Sequence, residues 1–177
     1  MKFDDIIIGG GHSGLQRAIE LQQRGRRCLV VCAGESSRRF REPGWSQRRE
    51  RQAFERLGGT FLMGDSVTGG RFAGDRLEAV FTANHGASPF EAERFFLATG
   101  SFFSGGLVAD HTHVFEPVFG LDVDYAGEHH ADWVDPDFFA EQPFMRFGVF
   151  TDPEGHPLKD GRPVENLFAI GSVVSRR

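Results

Sequence analysis

Features of secreted, membrane-spanning and metal-binding proteins are scarce in this 177-residue chain. It has two cysteines, and no uncharged stretch approaches the roughly 20 apolar residues that a membrane-spanning helix needs. Asp4 and Asp5 interrupt an apolar start that is too short for the apolar region of a secretion signal. We therefore expect a soluble protein that stays in the cytosol.

Both cysteines lie in one apolar run, Cys28 to Cys32. A spacing of four places them on the same face of a strand and too far apart for a disulfide. We interpret them as small buried apolar residues, because a metal site would need more ligands than this run supplies. Two histidine pairs in the later part of the chain also lack a third ligand in view, and we predict no metal there: His111 with His113, and His129 with His130.

The charge is unevenly distributed, although its sum is only −5. Residues 1–56 carry twelve Lys and Arg against seven Asp and Glu, whereas residues 101–177 carry five against thirteen. The basic residues near the start lie among Glu42, Glu50 and Glu55 and lack aromatic residues at stacking spacing. We therefore interpret them as a solvated or partner-facing helix surface, and we predict no nucleic-acid partner.

The first residues have the pattern of a strand, a tight turn and a helix. The apolar run Phe3–Ile8 leads into a G-x-G-x-x-G motif, and Leu15–Leu21 continues as a helix. In such motifs the glycines permit a sharp turn, close approach of a phosphate and close packing of helix on strand, while the helix N-terminus attracts an anion. We predict that this turn binds a nucleotide phosphate through Gly9, Gly10, Gly11, His12, Ser13 and Gly14.

The rest of the chain predicts an α/β fold of one domain over residues 1–177, with a Rossmann-like parallel sheet and a small antiparallel meander. Further parallel strands are predicted at Arg26–Cys32, Thr60–Met63, Phe95–Ala98 and Leu167–Ile170, and an amphipathic helix at Gln47–Leu57. Short runs separated by glycines predict the meander at Ser66–Thr68, Arg71–Ala73 and Leu77–Thr82. Residues 34–46 and about 101–160 predict loops, with a short strand at Arg146–Thr151.

Three of the predicted strands end in turns of small residues. Ile8 runs into Gly9, Ala98 into Thr99 and Gly100, and Ile170 into Gly171 and Ser172. Ligands of open parallel sheets bind beyond the carboxyl ends of the strands, so we expect all three turns to line one crevice. Small residues there leave room for a flat ring and its phosphate, which adds Thr99, Gly100, Gly171 and Ser172 to the predicted cofactor-binding set. The alternative is that these turns only terminate strands.

The second strand lacks the acidic residue that usually follows the glycines by about 20 positions and bonds a ribose hydroxyl. Cys32, Ala33 and Gly34 stand there, and Glu35 comes late. Either Glu35 reaches back, or the ligand has no adenosine ribose, as in FMN. The same gap counts against a nicotinamide-binding enzyme.

Several stretches resemble flavoproteins with two dinucleotide-binding motifs, and one family in particular. Residues 98–108 (ATGSFFSGGLV), with residues 120–123, 137–140 and 147–149, resemble the B subunit of anaerobic glycerol-3-phosphate dehydrogenase. The resemblance covers residues 1–40 and about 48–172. Family members have a middle segment between about Phe40 and Gln47 and a Gly-rich tail after Ser172, so we expect this chain to lack that segment and the C-terminal helix.

The resemblance implies a flavin-dependent redox protein that uses FMN, with FAD as the alternative, and that joins a catalytic A subunit and a membrane-bound iron-sulfur C subunit. Such an assembly oxidises glycerol 3-phosphate to dihydroxyacetone phosphate and passes electrons to quinone. The chain would then be cytoplasmic and reach the inner membrane only through its partners. No catalytic base is assigned. The alternative is a shortened scaffold that keeps the fold and the contacts with its partners but binds no flavin.

Overall fold

The computed structural model describes residues 1–35, 45–127 and 129–176, which form an α/β fold around a mixed seven-stranded sheet. The elements in chain order are β1 (Lys2–Ile8), α1 (His12–Gln23), β2 (Cys28–Cys32), α2 (Gln47–Arg56), β3 (Thr60–Met63), β4 (Val67–Ala73), β5 (Arg76–Thr82), β6 (Phe90–Leu97), β7 (Val108–Ala109), β8 (Val114–Phe115), β9 (Val123–Asp124), β10 (Gly148–Val149), β11 (Leu158–Lys159), β12 (Arg162–Pro163) and β13 (Leu167–Ala169). Within these described ranges, no helix is long and apolar enough to cross a membrane.

The sheet combines a parallel core with the predicted antiparallel meander. Its order is β3-β2-β1-β6-β5-β4, and β13 also pairs with β6. Strand β6 shares one edge between two neighbours: its first residues pair antiparallel with β5, and Phe95 to Leu97 pair parallel with β13. The carboxyl ends of β1, β6 and β13 therefore lie side by side, as the sequence predicts.

Both faces of the parallel core are covered. On one face, α1 packs Leu15, Ala18 and Leu21 against Ile7 and Val30. The other face forms the larger apolar cluster with the meander and residues near the C-terminus. All five residues of β2 are buried, which confirms the expectation of a strand covered on both sides.

Cys28 and Cys32 are buried free thiols, as predicted from their spacing. Burial raises the pKa of the Cys28 thiol to about 12, so this side chain remains protonated at neutral pH. It therefore acts as a small apolar residue of the core.

The meander differs from the sequence prediction in one respect. The two runs predicted at Ser66–Thr68 and Arg71–Ala73 form one strand, β4, which pairs with β5 through Gly69 and Gly70 with local register shifts. Gly70 does not break the strand, because its missing side chain is needed for packing: a Cβ there would lie 2.5 Å from Leu77 Cδ1. The glycines thus mark irregular pairing rather than a turn.

Strand β6 begins at Phe90, five positions before the predicted start at Phe95. Its first half alternates between buried and more exposed side chains, and it lies between β1 and β5. The sequence prediction recognised only the second half of β6, which is fully apolar. It missed the first half, in which buried or partly buried side chains alternate with exposed ones.

The loop-rich part of the chain contains three two-stranded ladders, β7–β8, β9–β10 and β11–β12. The strand predicted at Arg146–Thr151 is limited to β10, because Pro143–Arg146 forms a 3-10 turn. Gly171–Val173 forms another 3-10 turn. Of the loop predicted at residues 34–46, residues 36–44 lie outside the described residues.

A buried charge cluster lies where the parallel pairing of β1 with β2 begins. The Asp5 carboxylate is fully buried on β1 and accepts hydrogen bonds from Arg26 and from Arg94, whose Nε lies 2.8 Å from Asp5 Oδ1. Arg26 also bonds Glu93 at 3.0 Å. The bond to Asp5 raises the pKa of Arg26 further above its ordinary value. Both oxygens of the buried carboxylate therefore have cationic partners.

Candidate cofactor-binding site

The three predicted turns meet at one cavity of about 670 Å³ beyond the carboxyl ends of the parallel strands. This volume is in the range of small-molecule sites in proteins. Nine of the ten predicted residues line it: Gly9, Gly10, Gly11, His12, Ser13, Thr99, Gly100, Gly171 and Ser172. The three turns therefore lie close together in space, as expected, and their role in binding a cofactor stays a prediction.

Gly14 is the predicted residue that is absent from the cavity lining. It is buried in α1, and a Cβ there would lie 2.1 Å from the carbonyl oxygen of Gly9. Its position fits the packing role that the third glycine of the motif has.

Gly9 makes the turn between β1 and α1. Its φ is +113°, and a Cβ would lie 2.2 Å from the carbonyl oxygen of Ala98. The backbones of the first and second turns therefore approach each other more closely than a side chain would permit. Gly171 has a φ of +78°, and a Cβ there would lie 2.7 Å from Ser13 Oγ, so the third turn lies against the first turn of α1.

The N-terminus of α1 has the properties of an anion site. Gly11 is the N-cap residue, which lacks a side chain that could cap the helix, and the first turn of α1 contains no acidic residue. The first N–H groups of a helix have no partner inside it, and the helix dipole makes this end positive. A phosphate or another anion in the cavity would meet these groups.

Thr99 contributes an unpartnered polar atom to the wall. Its Oγ1 is buried and has no hydrogen-bond partner among the residues that the structure describes. Buried hydroxyl groups are nearly always hydrogen-bonded, so this atom needs a partner that the described residues do not supply.

The structure also brings residues to the cavity that sequence reasoning did not assign: Glu35, Asp65, Ser66, Val67, Phe103, Ser104, Gly105, Pro117 and Val118. Most come from loops without periodicity, which gave no signal of their position. Glu35, a candidate ribose ligand, lines the same cavity as the glycine turn. A ligand that fills the cavity can therefore reach it from the glycines.

Asp65 is an ordered acidic group of this wall. Its side chain accepts the N–H groups of Ser66 and Asn84 at 2.9 and 3.0 Å and lies 2.9 Å from His85 Nδ1. Burial alone would raise the pKa of Asp65, but these hydrogen bonds, with a contribution from Thr82, outweigh it and lower the pKa. The group is therefore a stable carboxylate at neutral pH.

Helix α2 is attached to the glycine turn by side chains. His12 Nδ1 and Gln16 Nε2 each lie 2.7 Å from Glu50 Oε1, and Gln47 Nε2 donates to the carbonyl oxygen of Gly10 at 2.6 Å. Trp45 Nε1 lies 3.1 Å from His12 Nδ1. Gln47 and Glu50 share one face of a predicted helix, but nothing in the sequence indicated what that face contacts.

No group of three or more His, Cys, Asp or Glu side chains could hold a metal ion in the part of the chain that the structure describes. The cavity wall presents glycines, hydroxyl groups and a helix N-terminus to a ligand.

Two solved structures are similar to this chain in fold. The oxidoreductase from Agrobacterium tumefaciens aligns with 76% of this chain and 48% of its own length, at a TM-score of 0.49 and 24% identity. The chondrochloren halogenase CndH, an FAD-dependent halogenase, aligns with 57% of this chain and 38% of its own length, at a TM-score of 0.46 and 17% identity.

Sequence comparison gives a more specific result. The family model described as an FAD binding domain matches residues 4–47 and 42–176. The B subunit of anaerobic glycerol-3-phosphate dehydrogenase from Yersinia pseudotuberculosis is 43% identical over 124 residues, and that from Vibrio cholerae is 44% identical over 126 residues. Each alignment covers 70% of this chain and 29% of the relative, so the chain spans under a third of the length of these relatives.

These relatives confirm the resemblance to the B subunit. The expectation of a flavin is supported as well, but the matching family is described by FAD, and nothing in the comparisons supports FMN as the preferred form.

Proposed function

The chain belongs to the FAD binding domain family, and from this premise we propose that residues 1–177 act as one flavin-binding domain of a redox enzyme, with FAD in the cavity beyond β1, β6 and β13. The observation that carries the proposal is the convergence of three separate turns on that cavity. Each turn comes from a different part of the chain. A purely structural role would not require them to leave a shared space.

The residues present fit a phosphorylated flavin. The N–H groups of His12 and Ser13 at the start of α1 would hold phosphate oxygens, with no acidic residue in that turn to repel them. The Thr99 hydroxyl, which has no partner among the described residues, would hydrogen-bond a polar atom of the ligand. Gly100, Gly171 and Ser172 leave room beside it.

The position of Glu35 favours FAD over FMN. It lies in the cavity wall after β2, on the side where an adenosine ribose would be bound in this class of fold. FMN has no such ribose and would leave this part of the cavity unfilled. The late position of the acid in the sequence is therefore compatible with an FAD site.

Bound flavin would supply the capacity to accept a hydride or electrons. The protein would bind the phosphates, exclude water and orient the flavin ring. His12, Glu35 and Asp65 are the acidic and histidine residues among those that line the cavity, and Asp65 is already held by hydrogen bonds. We assign no base for substrate oxidation, so the domain is proposed to handle electrons rather than substrate.

The proposal for the whole assembly rests on the relatives alone. By similarity to the B subunit, we propose that the chain acts with the A and C subunits of an anaerobic glycerol-3-phosphate dehydrogenase, which would oxidise glycerol 3-phosphate to dihydroxyacetone phosphate and reduce quinone. The chain would then lie in the cytoplasm and reach the membrane through its partners.

A flavin titration tests the proposal. Purified wild-type protein should take up FAD and quench its fluorescence, and Gly11→Leu should abolish uptake. Gly11 has a φ of −76°, which leucine also adopts, so the variant should keep the fold while its side chain blocks the phosphate. Gly69→Leu is the control, since Gly69 lies in β4 and a Cβ there would meet no atom within 4 Å. A wild-type protein that stays colourless would favour the flavin-free scaffold instead.

A further inference from the structure

We propose that Glu50 and His12 form a carboxylate–imidazole pair that makes the cavity selective for phosphorylated ligands. In this arrangement, Glu50 accepts a hydrogen bond from Nδ1 of the doubly protonated imidazole, and Nε2 donates a hydrogen bond to a phosphate at the N-terminus of α1. The inference rests on the proposed function, because the phosphate would be that of the flavin. It assigns Glu50, on α2, as a positioning residue of the cofactor site.

The contacts of the pair fix the imidazole. His12 is the first residue of α1 and lines the cavity, and its Nδ1 lies 2.7 Å from Glu50 Oε1. Gln16, one turn further along α1, donates to the same oxygen at 2.7 Å. The Glu50 side chain is only 15% exposed, so water competes little for this carboxylate.

The chemistry of imidazole determines which ring nitrogen faces the ligand. An ionised carboxylate can only accept hydrogen bonds, so Nδ1 must carry the proton in the contact with Glu50. The hydrogen bonds that the ring makes to described residues both use Nδ1. Nε2 is therefore the ring atom left for a ligand, and an anion beside it favours the doubly protonated, cationic ring.

Trp45 makes the pair a two-state contact. Its indole N–H lies 3.1 Å from the same Nδ1, but it can donate there only when Nδ1 carries no proton. The Glu50 and Trp45 bonds are therefore mutually exclusive. Both states can offer an Nε2–H to a phosphate, the Trp45 state from a neutral ring and the Glu50 state from a cationic ring. The phosphate would favour the Glu50 state, because the cationic ring attracts it more strongly.

The position of Glu50 is costly without such a role. Its Oε2 is buried and has no hydrogen-bond partner within the described ranges. A buried acceptor that is left unsatisfied reduces stability, and a bare carboxylate near a phosphate would also repel it. A cationic imidazole between the two anions offsets the repulsion and stabilises the carboxylate.

The test compares ligands with and without phosphate. Dissociation constants for FAD, ADP and riboflavin are measured on wild type, His12→Asn, His12→Gln and Glu50→Gln. Asparagine keeps a donor near the Nδ1 position but lacks the Nε2 atom, whereas glutamine places an amide near Nε2. Glu55→Gln is the matched control, because Glu55 lies on the same helix and bonds Arg51 there, away from the glycine turn.

We expect His12→Asn and Glu50→Gln to weaken FAD and ADP by roughly tenfold to a hundredfold, the effect of one hydrogen bond to a charged group. His12→Gln should recover part of the loss. Riboflavin affinity, the melting temperature of the ligand-free protein and all values for Glu55→Gln should stay near wild type.

Two results would overturn the inference. One is unchanged FAD and ADP affinity in both His12→Asn and Glu50→Gln. The other is a parallel loss for riboflavin with a lower melting temperature, which would make the pair a structural contact. If wild type binds ADP but no flavin, the proposed function fails, and the ADP affinities of the variants still decide the inference. If wild type binds neither ligand, the proposed function and the inference both fail.

Discussion

The two ends of the paired strands β1 and β2 carry opposite kinds of residues. At the amino end, where Asp5 of β1 pairs with the first residue of β2, the buried Asp5 carboxylate has both oxygens bonded by Arg26 and Arg94. At the carboxyl end of β1, the chain turns at Gly9 beside a cavity, and the neighbouring Thr99 hydroxyl has no partner among the described residues. The polar group at the first end has all its hydrogen-bond partners, whereas the polar group at the second end has none within the described ranges. We infer that the first end supports the fold and the second is arranged for a ligand.

The largest expected effect is the loss of the buried charge cluster. Asp5→Ala leaves Arg26 and Arg94 without the carboxylate that both bond. Breaking a fully buried ion pair costs about 3–5 kcal/mol, and we expect the lower end of this range because both arginine side chains are partly exposed. Urea unfolding should show this loss. FAD affinity of the folded fraction should not change, because the cluster lies at the opposite end of the strands. Asp75→Ala, which removes an exposed and distant ion pair, should have little effect.

Gly9→Ala should affect both properties at once. The added Cβ would lie 2.2 Å from the Ala98 carbonyl oxygen, and the φ of +113° costs a further 1–3 kcal/mol, roughly, for any other residue. The two turns must then separate, so unfolding midpoints and FAD uptake should fall together. Stable protein with normal FAD uptake would show that the close approach of the two turns is not needed.

Thr99→Val should change the stability of the ligand-free protein and its FAD affinity in opposite directions. Valine keeps the shape and removes a hydroxyl that has no partner among the described residues, so ligand-free stability should rise by about 1 kcal/mol while FAD binding weakens by about as much. Thr82→Val is the control, since the buried Thr82 hydroxyl lies 3.0 Å from His85 Nδ1 and its removal should destabilise the protein. Equal destabilisation in both variants would argue against a ligand role for Thr99.

The smallest expected effect concerns acid stability at the cavity wall. The pKa of Asp65 is lowered in the folded protein, because its hydrogen bonds outweigh burial. The folded protein thus holds this proton less tightly than the unfolded chain, and the stabilisation is present above about pH 4 and lost as the pH falls further. The stability difference between wild type and Asp65→Asn should therefore shrink on acidification. A difference that is constant with pH would contradict this assignment.

The features that could be predicted from the sequence depend on local patterns. The apolar run before Gly9, the run at Cys28–Cys32 and the small residues after Leu97 were enough to place the parallel strands and to bring their turns together. These features follow from strand burial and turn chemistry, which are encoded within a few residues.

Long-range contacts could not be predicted in the same way. Asp5 and Arg94 are 89 positions apart, and His12 and Glu50 are 38 apart, so no spacing rule connects either pair. The cavity wall at Pro117 and Val118 comes from a stretch without periodicity. The preference for FMN came from the resemblance to the B subunit and from the late position of Glu35, which the fold nevertheless brings to the cavity.

Hydrogen–deuterium exchange with and without FAD tests the location of the ligand most directly. We predict that FAD slows exchange in the three turns, at residues 9–15, 98–106 and 170–176, and leaves the segments around Asp5, Arg26 and Arg94 unchanged. Protection only in segments that do not line the cavity, or no protection anywhere while FAD is bound, would contradict a flavin site at the carboxyl ends of the strands.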